Sequence, residues 1–207
     1  NSFTDIAVSG LNVVGGLVGG SEMYITNCYS TGDVNGAINA TGDTPRGIGG
    51  LVGVLAAKSN ASAYPTQTDR SKHQALLNSS FSSSAVDVSS VTGYNAKGNG
   101  VGGLAGNVTV GTSIATVFSS GSVRFCYDDN SVPPDCGKVP ALGIGGLVGV
   151  LNSATVEVYS AASVVAKVGN LTAPVYDESG EMIDPGSVVG IGGVVGVTNA
   201  HLQSAYS

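Results

Sequence analysis

The sequence has no tryptophan and few charged residues, which make up 11 % of its 207 residues. Its 8 lysines and arginines are outnumbered by 14 aspartates and glutamates, so the formal net charge is −6. Proteins that bind nucleic acid present a basic face to the phosphates, so we expect no nucleic-acid partner. The uncharged apolar runs are glycine-rich and fall short of the roughly 18 residues of a spanning helix, so we expect no membrane-spanning segment.

Recognisable catalytic motifs are also missing. The carboxylates nearest to predicted strands are Asp33, Asp87 and Glu157, and they occupy different positions relative to the repeat described below. Glycosidase and calcium sites need a pair or cluster of carboxylates on adjacent strands. These three carboxylates do not line up from unit to unit, so the sequence does not predict such a site. His73 and His201 lack metal-ligand spacing, and the acidic segments around Asp128 and Asp177 are not EF-hand loops. We expect no enzyme, no metal and no cofactor.

Glycine, in contrast, is abundant, with 32 residues, and much of it lies in one repeated pentapeptide. Five copies begin at Gly15, Gly49, Gly102, Gly145 and Gly192, and read Gly-Gly-Leu/Val-Val/Ala-Gly. An internal repeat of this kind predicts stacked structural units, each of which covers the apolar face of its neighbour.

Two further columns accompany the pentapeptide. An aromatic residue followed by Ser or Thr occurs at the chain start and after every copy, and a valine follows the first five of these aromatics. We predict that equivalent residues stack in register about 4.8 Å apart. The predicted repeat core is Leu17, Leu51, Leu104, Leu147 and Val194, with Phe3, Tyr29, Phe81, Phe118, Tyr159 and Tyr206 as a second ladder.

The local patterns are those of strands. Thr155–Tyr159 and Ser122–Phe125 alternate with a period near two and are rich in β-branched and aromatic residues. No window keeps a helical period. We therefore predict an all-β fold, a parallel β-helix-like β-solenoid of about five repeats, in a single domain over 1–207. Loop insertions are predicted at 37–46, 56–74, 126–140 and 173–187.

The repeated glycines have two possible explanations. They could allow positive φ at tight bends, or they could let a second backbone approach where a side chain would block it. The runs Ile48–Ala57 and Ala141–Leu151 contain no polar side chain. Neighbouring residues in a strand point to opposite faces, so both faces of this wall are predicted to be covered.

Several features indicate an extracellular or cell-surface protein. N-glycosylation sequons begin at Asn39, Asn60, Asn78, Asn107 and Asn170, so covalent glycans are expected. Cys126 and Cys136 bracket a polar, proline-bearing loop that a disulfide would close in an oxidising compartment. Cys28 remains, and we interpret it as a small buried residue of the stack in preference to an intermolecular bridge.

The first unit has a family resemblance. Its pentapeptide, followed by Ile-Thr-Asn-Cys-Tyr-Ser-Thr-Gly-Asp-Val-Asn-Gly at 25–36, resembles the GLUG repeat. That repeat occurs in secreted and cell-surface proteins, including adhesins and surface proteases. The resemblance implies a surface β-solenoid that acts as a spacer or presentation module; later units keep the pentapeptide, the aromatic and the valine but lose the Thr-Gly-Asp.

The sequence opens with the second half of one repeat unit and closes as the second half of another begins. We expect these half units to leave unpaired strand edges, which can pair with strands of other chains. We therefore predict a structural glycoprotein, the subunit of an extracellular filament or surface layer, whose partner is another copy of itself. The residues expected at the contact are Phe3, Ile6, Val8, Leu202 and Tyr206. The alternative is a cell-surface adhesin or carbohydrate-binding stalk module.

Overall fold

The computed structural model describes residues 1–39, 44–57, 75–92, 98–126, 142–167, 175–176, 179, 182–184 and 189–207. These residues are all-β, with strands in parallel sheets, an arrangement consistent with a parallel β-helix-like solenoid. In this part of the chain there is no helix, and hence none long and apolar enough to cross a membrane.

Four parallel sheets account for almost all the strands, and the chain visits them in a fixed order. One passage through the sheets is called a coil below. Sheet I contains β1 (Ser2–Thr4), β5 (Tyr24–Thr26), β6 (Cys28–Ser30), β10 (Leu76–Asn78), β11 (Phe81–Ser82), β15 (Ser113–Ser119), β19 (Thr155–Ser160) and β25 (Leu202–Tyr206).

The other three sheets each have five strands. Sheet II is β2 (Val8–Leu11), β7 (Val34–Asn39), β12 (Ala85–Thr92), β16 (Ser122–Phe125) and β20 (Ser163–Ala166). Sheet III is β3 (Val13–Gly15), β8 (Arg46–Gly49), β13 (Asn99–Gly102), β17 (Leu142–Gly145) and β23 (Val189–Gly192). Sheet IV is β4 (Val18–Ser21), β9 (Val52–Leu55), β14 (Ala105–Val108), β18 (Val148–Leu151) and β24 (Val195–Thr198).

Two apolar cores lie on either side of sheets III and IV. The first contains Val34, Val86 and Val123 of sheet II with Ile48 and Ile144 of sheet III, all fully buried. The second joins sheet IV to sheet I and contains the central leucines of the pentapeptides. Each buried aliphatic side chain contributes about 1.5–3 kcal/mol, so each coil stabilises the next mainly through these two columns.

A glycine seam separates the two cores. A Cβ built on Gly47 would lie 2.3 Å from the Gly53 carbonyl oxygen, and one on Gly100 would lie 1.9 Å from that of Gly106. Positive φ among the described glycines occurs only at Gly98 and Gly111, outside the pentapeptides. The repeated glycines therefore serve close approach of backbones, and both faces of this wall are covered as the apolar runs predict.

The predicted leucine ladder is in register. The amide of Leu17 donates to Leu51 O, Leu51 to Leu104 O, Leu104 to Leu147 O and Leu147 to Val194 O, at 2.9–3.0 Å. The aromatic positions also pair in register from Phe3 to Tyr206.

The aromatic ladder is not part of the core, and its assignment as a core column is wrong. Phe81 and Tyr159 are about 40 % exposed, whereas Ser30 and Ser160 beside the ladder are buried. Each coil has one non-glycine residue of positive φ before the aromatic: Asn27, Ser79, Thr116, Glu157 and Ser204. This left-handed residue shifts the in-out alternation by one position and turns the aromatic outward.

The predicted insertions correspond only in part to loops. Strand β7 runs to Asn39 and β8 begins at Arg46, so the ends of the 37–46 segment belong to strands. Within 173–187, β21 (Val175–Tyr176) and β22 (Met182–Asp184) pair antiparallel, a hairpin that the sequence did not indicate. Most of 56–74 and 126–140 lies outside the described residues.

Candidate assembly surfaces

The stack of coils has two open end faces. Among the strands that the structure describes, β1, β2, β3, β4 and β5 at one end each pair with a neighbour on one side only. At the other end the same holds for β20, β23, β24 and β25. Unpaired strand edges of this kind are templates for pairing with another chain.

Exposed large apolar side chains concentrate in the first and last coils. Ile191 is 52 % exposed, although its counterparts Ile48 and Ile144 in the same column are fully buried. Further exposed large apolar side chains on or next to the strands that end the sheets are Phe3, Ile6, Leu11, Met23, Tyr24, Val165, Leu202 and Tyr206. The open faces are therefore cross-sections of the apolar cores that a further coil would cover.

The predicted contact residues all belong to these two faces or their rims. Phe3, Ile6, Leu202 and Tyr206 are exposed, and Val8 is half-buried against the first core. Sequence reasoning missed Ile191, since its interior counterparts read as ordinary core residues.

The aromatic ladder runs along the outside of sheet I between the two faces. Phe3 stacks on Tyr29 with ring centroids 5.2 Å apart, Tyr29 on Phe81 at 4.9 Å, and Phe118 on Tyr159 at 5.4 Å. The stacking is interrupted between Phe81 and Phe118, whose ring centroids are 6.4 Å apart and whose planes are tilted by 45°. Where the rings stack, they cover one another's faces and leave mainly ring edges exposed. The terminal rings, Phe3 and Tyr206, are each 63 % exposed.

A buried serine ladder lies beside the pentapeptides. Ser30 Oγ donates to the Gly50 carbonyl and Ser119 Oγ to the Gly146 carbonyl, both at 2.6 Å. These hydroxyls satisfy the carbonyl oxygens at the turns between sheets III and IV. The Ser or Thr after each aromatic was visible in the sequence, but its partner was not.

Removing one of these hydroxyls should be costly. Ser119→Ala leaves the buried Gly146 carbonyl without this donor, and we expect the free energy of unfolding to fall by about 1–3 kcal/mol. Ser120→Ala is the matched control, because Ser120 is exposed. Urea denaturation followed by circular dichroism measures both, and equal stability of the two variants would contradict the assignment.

A groove of about 960 Å³ follows the junction of sheets III and IV. Val13, Val54, Val150 and Val197 line it, with the buried Asn107, whose Oδ1 has no hydrogen-bond partner among the described residues. Four of its lining residues, Thr44, Ala57, Gly98 and Leu142, are next in sequence to segments outside the described residues, and the groove therefore carries no site assignment.

The glycosylation sequons fall in different environments. Asn39 is exposed, and Asn78 is partly exposed at the end of β10. Asn107 is fully buried and its Nδ2 donates to the Gly98 carbonyl at 3.1 Å. A glycan on that nitrogen is incompatible with this packing, so the prediction for Asn107 is wrong for the folded chain. Asn60 and Asn170 lie outside the described residues.

The cysteines differ in state. Cys28 is a free thiol and is buried in the second core, which is rich in leucine. Its burial agrees with the interpretation of Cys28 as a small buried residue. Cys126 is disulfide-bonded. Cys136 lies outside the described residues, so the pairing of these two cysteines stays a prediction.

The three carboxylates near the predicted strands, Asp33, Asp87 and Glu157, are not brought together. Asp87 lies in sheet II beside Arg124, whereas Glu157 lies in sheet I and Asp33 precedes β7. Within the described ranges no group of three or more His, Cys, Asp or Glu side chains could hold a metal ion. His73 and the acidic segments near Asp128 and Asp177 lie outside these ranges.

No family model, no curated protein and no solved structure matches the chain. The resemblance to the GLUG repeat therefore rests on the residues quoted above and stays a prediction.

Proposed function

We propose that this chain is a structural glycoprotein, a β-solenoid of about five repeats that assembles end to end into an extracellular filament or surface layer. The observation that carries the proposal is the pair of open end faces, each with unpaired strand edges and an exposed cross-section of the apolar cores. A head-to-tail contact between two different faces propagates without closing, and so yields a filament.

The two end faces present the same types of residue in corresponding columns of sheets II and III. Strand β23 ends one face with Ile191 and Gly192, and β3 begins the other with Val14 and Gly15, which occupy the same columns. Likewise, β20 and β2 end the valine column of sheet II with Val164 and Val8. A second copy placed in continuous register therefore extends the columns of sheets II, III and IV with the residue types already found inside the chain.

Few charged side chains lie on the described strands that end the stack. Residues 189–207 contain no Asp, Glu, Lys or Arg, and His201 is their one titratable side chain apart from Tyr206. In the first coil, Asp5 and Glu22 are both exposed. The contact is thus driven by apolar burial and backbone pairing, which salt screens only weakly.

The donated strand in this contact is β2. The aromatic column of sheet I has both Phe3 and Tyr206 at its ends, so it is one member longer than the valine column. In a continuous stack β1 of the next copy meets a position that Tyr206 already fills. Strand β2 meets the free edge of β20 and adds to it as a further parallel strand.

Glycosylation is the second part of the proposal. We expect native material to carry glycans at Asn60 and Asn170, in polar segments away from the repeat columns, and none at Asn107. Intact-glycopeptide mass spectrometry tests this directly. Finding both Asn60 and Asn170 bare would contradict the assignment, and a glycan on Asn107 would contradict the packing of β14.

The filament itself is tested by negative-stain microscopy of the native material. Filaments with the coil axis along their length support the proposal. Isolated monomers at high concentration would refute it and would favour the adhesin or stalk module, which needs no self-association.

A further inference from the structure

The second glycine of each pentapeptide lies directly below the next coil. A Cβ built on Gly16 would lie 2.2 Å from the Gly50 carbonyl oxygen, and one on Gly50, Gly103 or Gly146 would lie 2.1 Å from the carbonyl of the following copy. Real Cβ atoms do not approach backbone so closely. Any side chain at these positions would push two coils apart.

Gly193 occupies the same position in the last copy but lacks this constraint. A Cβ there would meet only the exposed Ser207, with Cβ and Oγ both at 3.1 Å. No described residue around Gly193 demands a glycine.

The fifth glycine has the converse pattern. A Cβ on Gly106, Gly149 or Gly196 would lie 2.2–2.3 Å from an amide nitrogen of sheet III in the preceding coil. Gly19, in the first copy, has no preceding coil, and its nearest neighbour would be the Val13 carbonyl oxygen at 3.1 Å. Gly19 and Gly193 are thus the two pentapeptide glycines whose glycine-specific neighbour is missing, and they lie on opposite end faces.

We propose that the joint between copies repeats the coil-to-coil contact, with Gly193 beneath the Gly16 carbonyl of the next copy. In this joint Gly19 of the next copy packs on the Ile191 amide, as Gly196 packs on the Ile144 amide within the chain. The inference rests on the proposed end-to-end assembly and specifies its contact. The occupant is a second copy, because the columns of sheets II, III and IV at one face continue those at the other.

The test uses the full chain with Gly193→Ala. We expect its circular-dichroism spectrum and melting temperature to match those of the unsubstituted chain. Its critical concentration for polymerisation should rise at least about tenfold, which corresponds to about 1.4 kcal/mol of lost contact free energy. Gly20→Ala is the control, because a Cβ there meets only ordinary contacts, the nearest at 3.7 Å, and should leave both properties unchanged.

A mixing experiment gives the sharper result. Gly193→Ala spoils one face and Gly19→Ala the other, so each variant alone should remain monomeric at a concentration just above the critical concentration of the unsubstituted chain. Their equimolar mixture retains one intact pair of faces and should form 1:1 dimers and no longer polymers, as measured by analytical ultracentrifugation.

The possible failures are distinguishable. If the unsubstituted chain forms filaments and Gly193→Ala forms them equally well, the glycine joint is wrong and the filament stands. If Gly193→Ala unfolds, the glycine serves the chain itself and the inference is overturned. If the unsubstituted chain forms no filament, the proposed function fails.

Discussion

A chain that lacks residues 1–10 should fold and yet lose the ability to form filaments. The deletion removes β1 and most of β2, which belong to the first coil and have free edges. The remaining coils keep both apolar cores, so the far-ultraviolet spectrum should stay that of a β protein. The critical concentration for assembly, measured by light scattering, should rise at least about tenfold, since β20 loses its incoming strand.

A shorter deletion separates the two strands. Removing residues 1–5 takes away β1 and leaves Val8–Leu11 in place. Because Tyr206 competes with β1 for the same position, we expect this chain to assemble at least as readily as the full one. Filaments of the 1–10 deletion that are indistinguishable from those of the full chain would refute strand donation by β2.

Gly50→Ala should abolish the fold. The new Cβ would lie 2.1 Å from the Gly103 carbonyl oxygen and 2.2 Å from Ser82 Oγ, and the first of these atoms is backbone that two coils hold in place. Relief requires the coils to separate, which exposes the leucine column around Leu51 and Leu104. We expect a loss of about 4 kcal/mol or more in the free energy of unfolding, the range reached only by severe packing defects.

The matched control is again Gly20→Ala. Gly20 lies in sheet IV, as Gly53 does, but a Cβ built on Gly20 would have no contact below 3.7 Å. The free energies of unfolding of the two variants, measured with urea, should differ by several kcal/mol. In the extreme case, the Gly50→Ala chain is already unfolded or aggregated in buffer without urea. If both variants unfold at the same urea concentration, the glycine seam is not what positions the coils.

Most of the described fold could be predicted from the repeat. Leucine, aromatic and valine columns follow from the spacing of the pentapeptides, because equivalent residues of stacked coils must pair. The continuous apolar run from Ile48 also predicted a wall covered on both sides, and sheets III and IV are such a wall.

The direction of the aromatic ladder did not follow from the sequence. Counting two residues per repeat from Ile114 places Phe118 inside, but Thr116 adopts φ 53° and shifts the alternation. Threonine is β-branched and disfavours positive φ, so we attribute the conformation of Thr116 to its packing between neighbouring coils. A threonine in a sequence therefore does not indicate a kink of this kind.

The candidate surfaces could be predicted only in outline. Phe3 and Tyr206 were predicted at the end faces, because each belongs to a half unit of the repeat. The importance of Gly19 and Gly193 was hidden, because in sequence they look the same as the interior glycines. Only the distances to neighbouring backbone distinguish a glycine that the chain itself needs from one that it does not.

The central claim is that copies continue one another's stack, and helical reconstruction of the filaments by electron cryomicroscopy tests it most directly. Sheets II, III and IV each have five strands per copy. At about 4.8 Å per strand, continuous stacking predicts an axial rise of about 24 Å per subunit, with strands perpendicular to the filament axis. A reconstruction in which the coil axes lie across the filament, or in which β20, β23 and β24 face solvent, would contradict it.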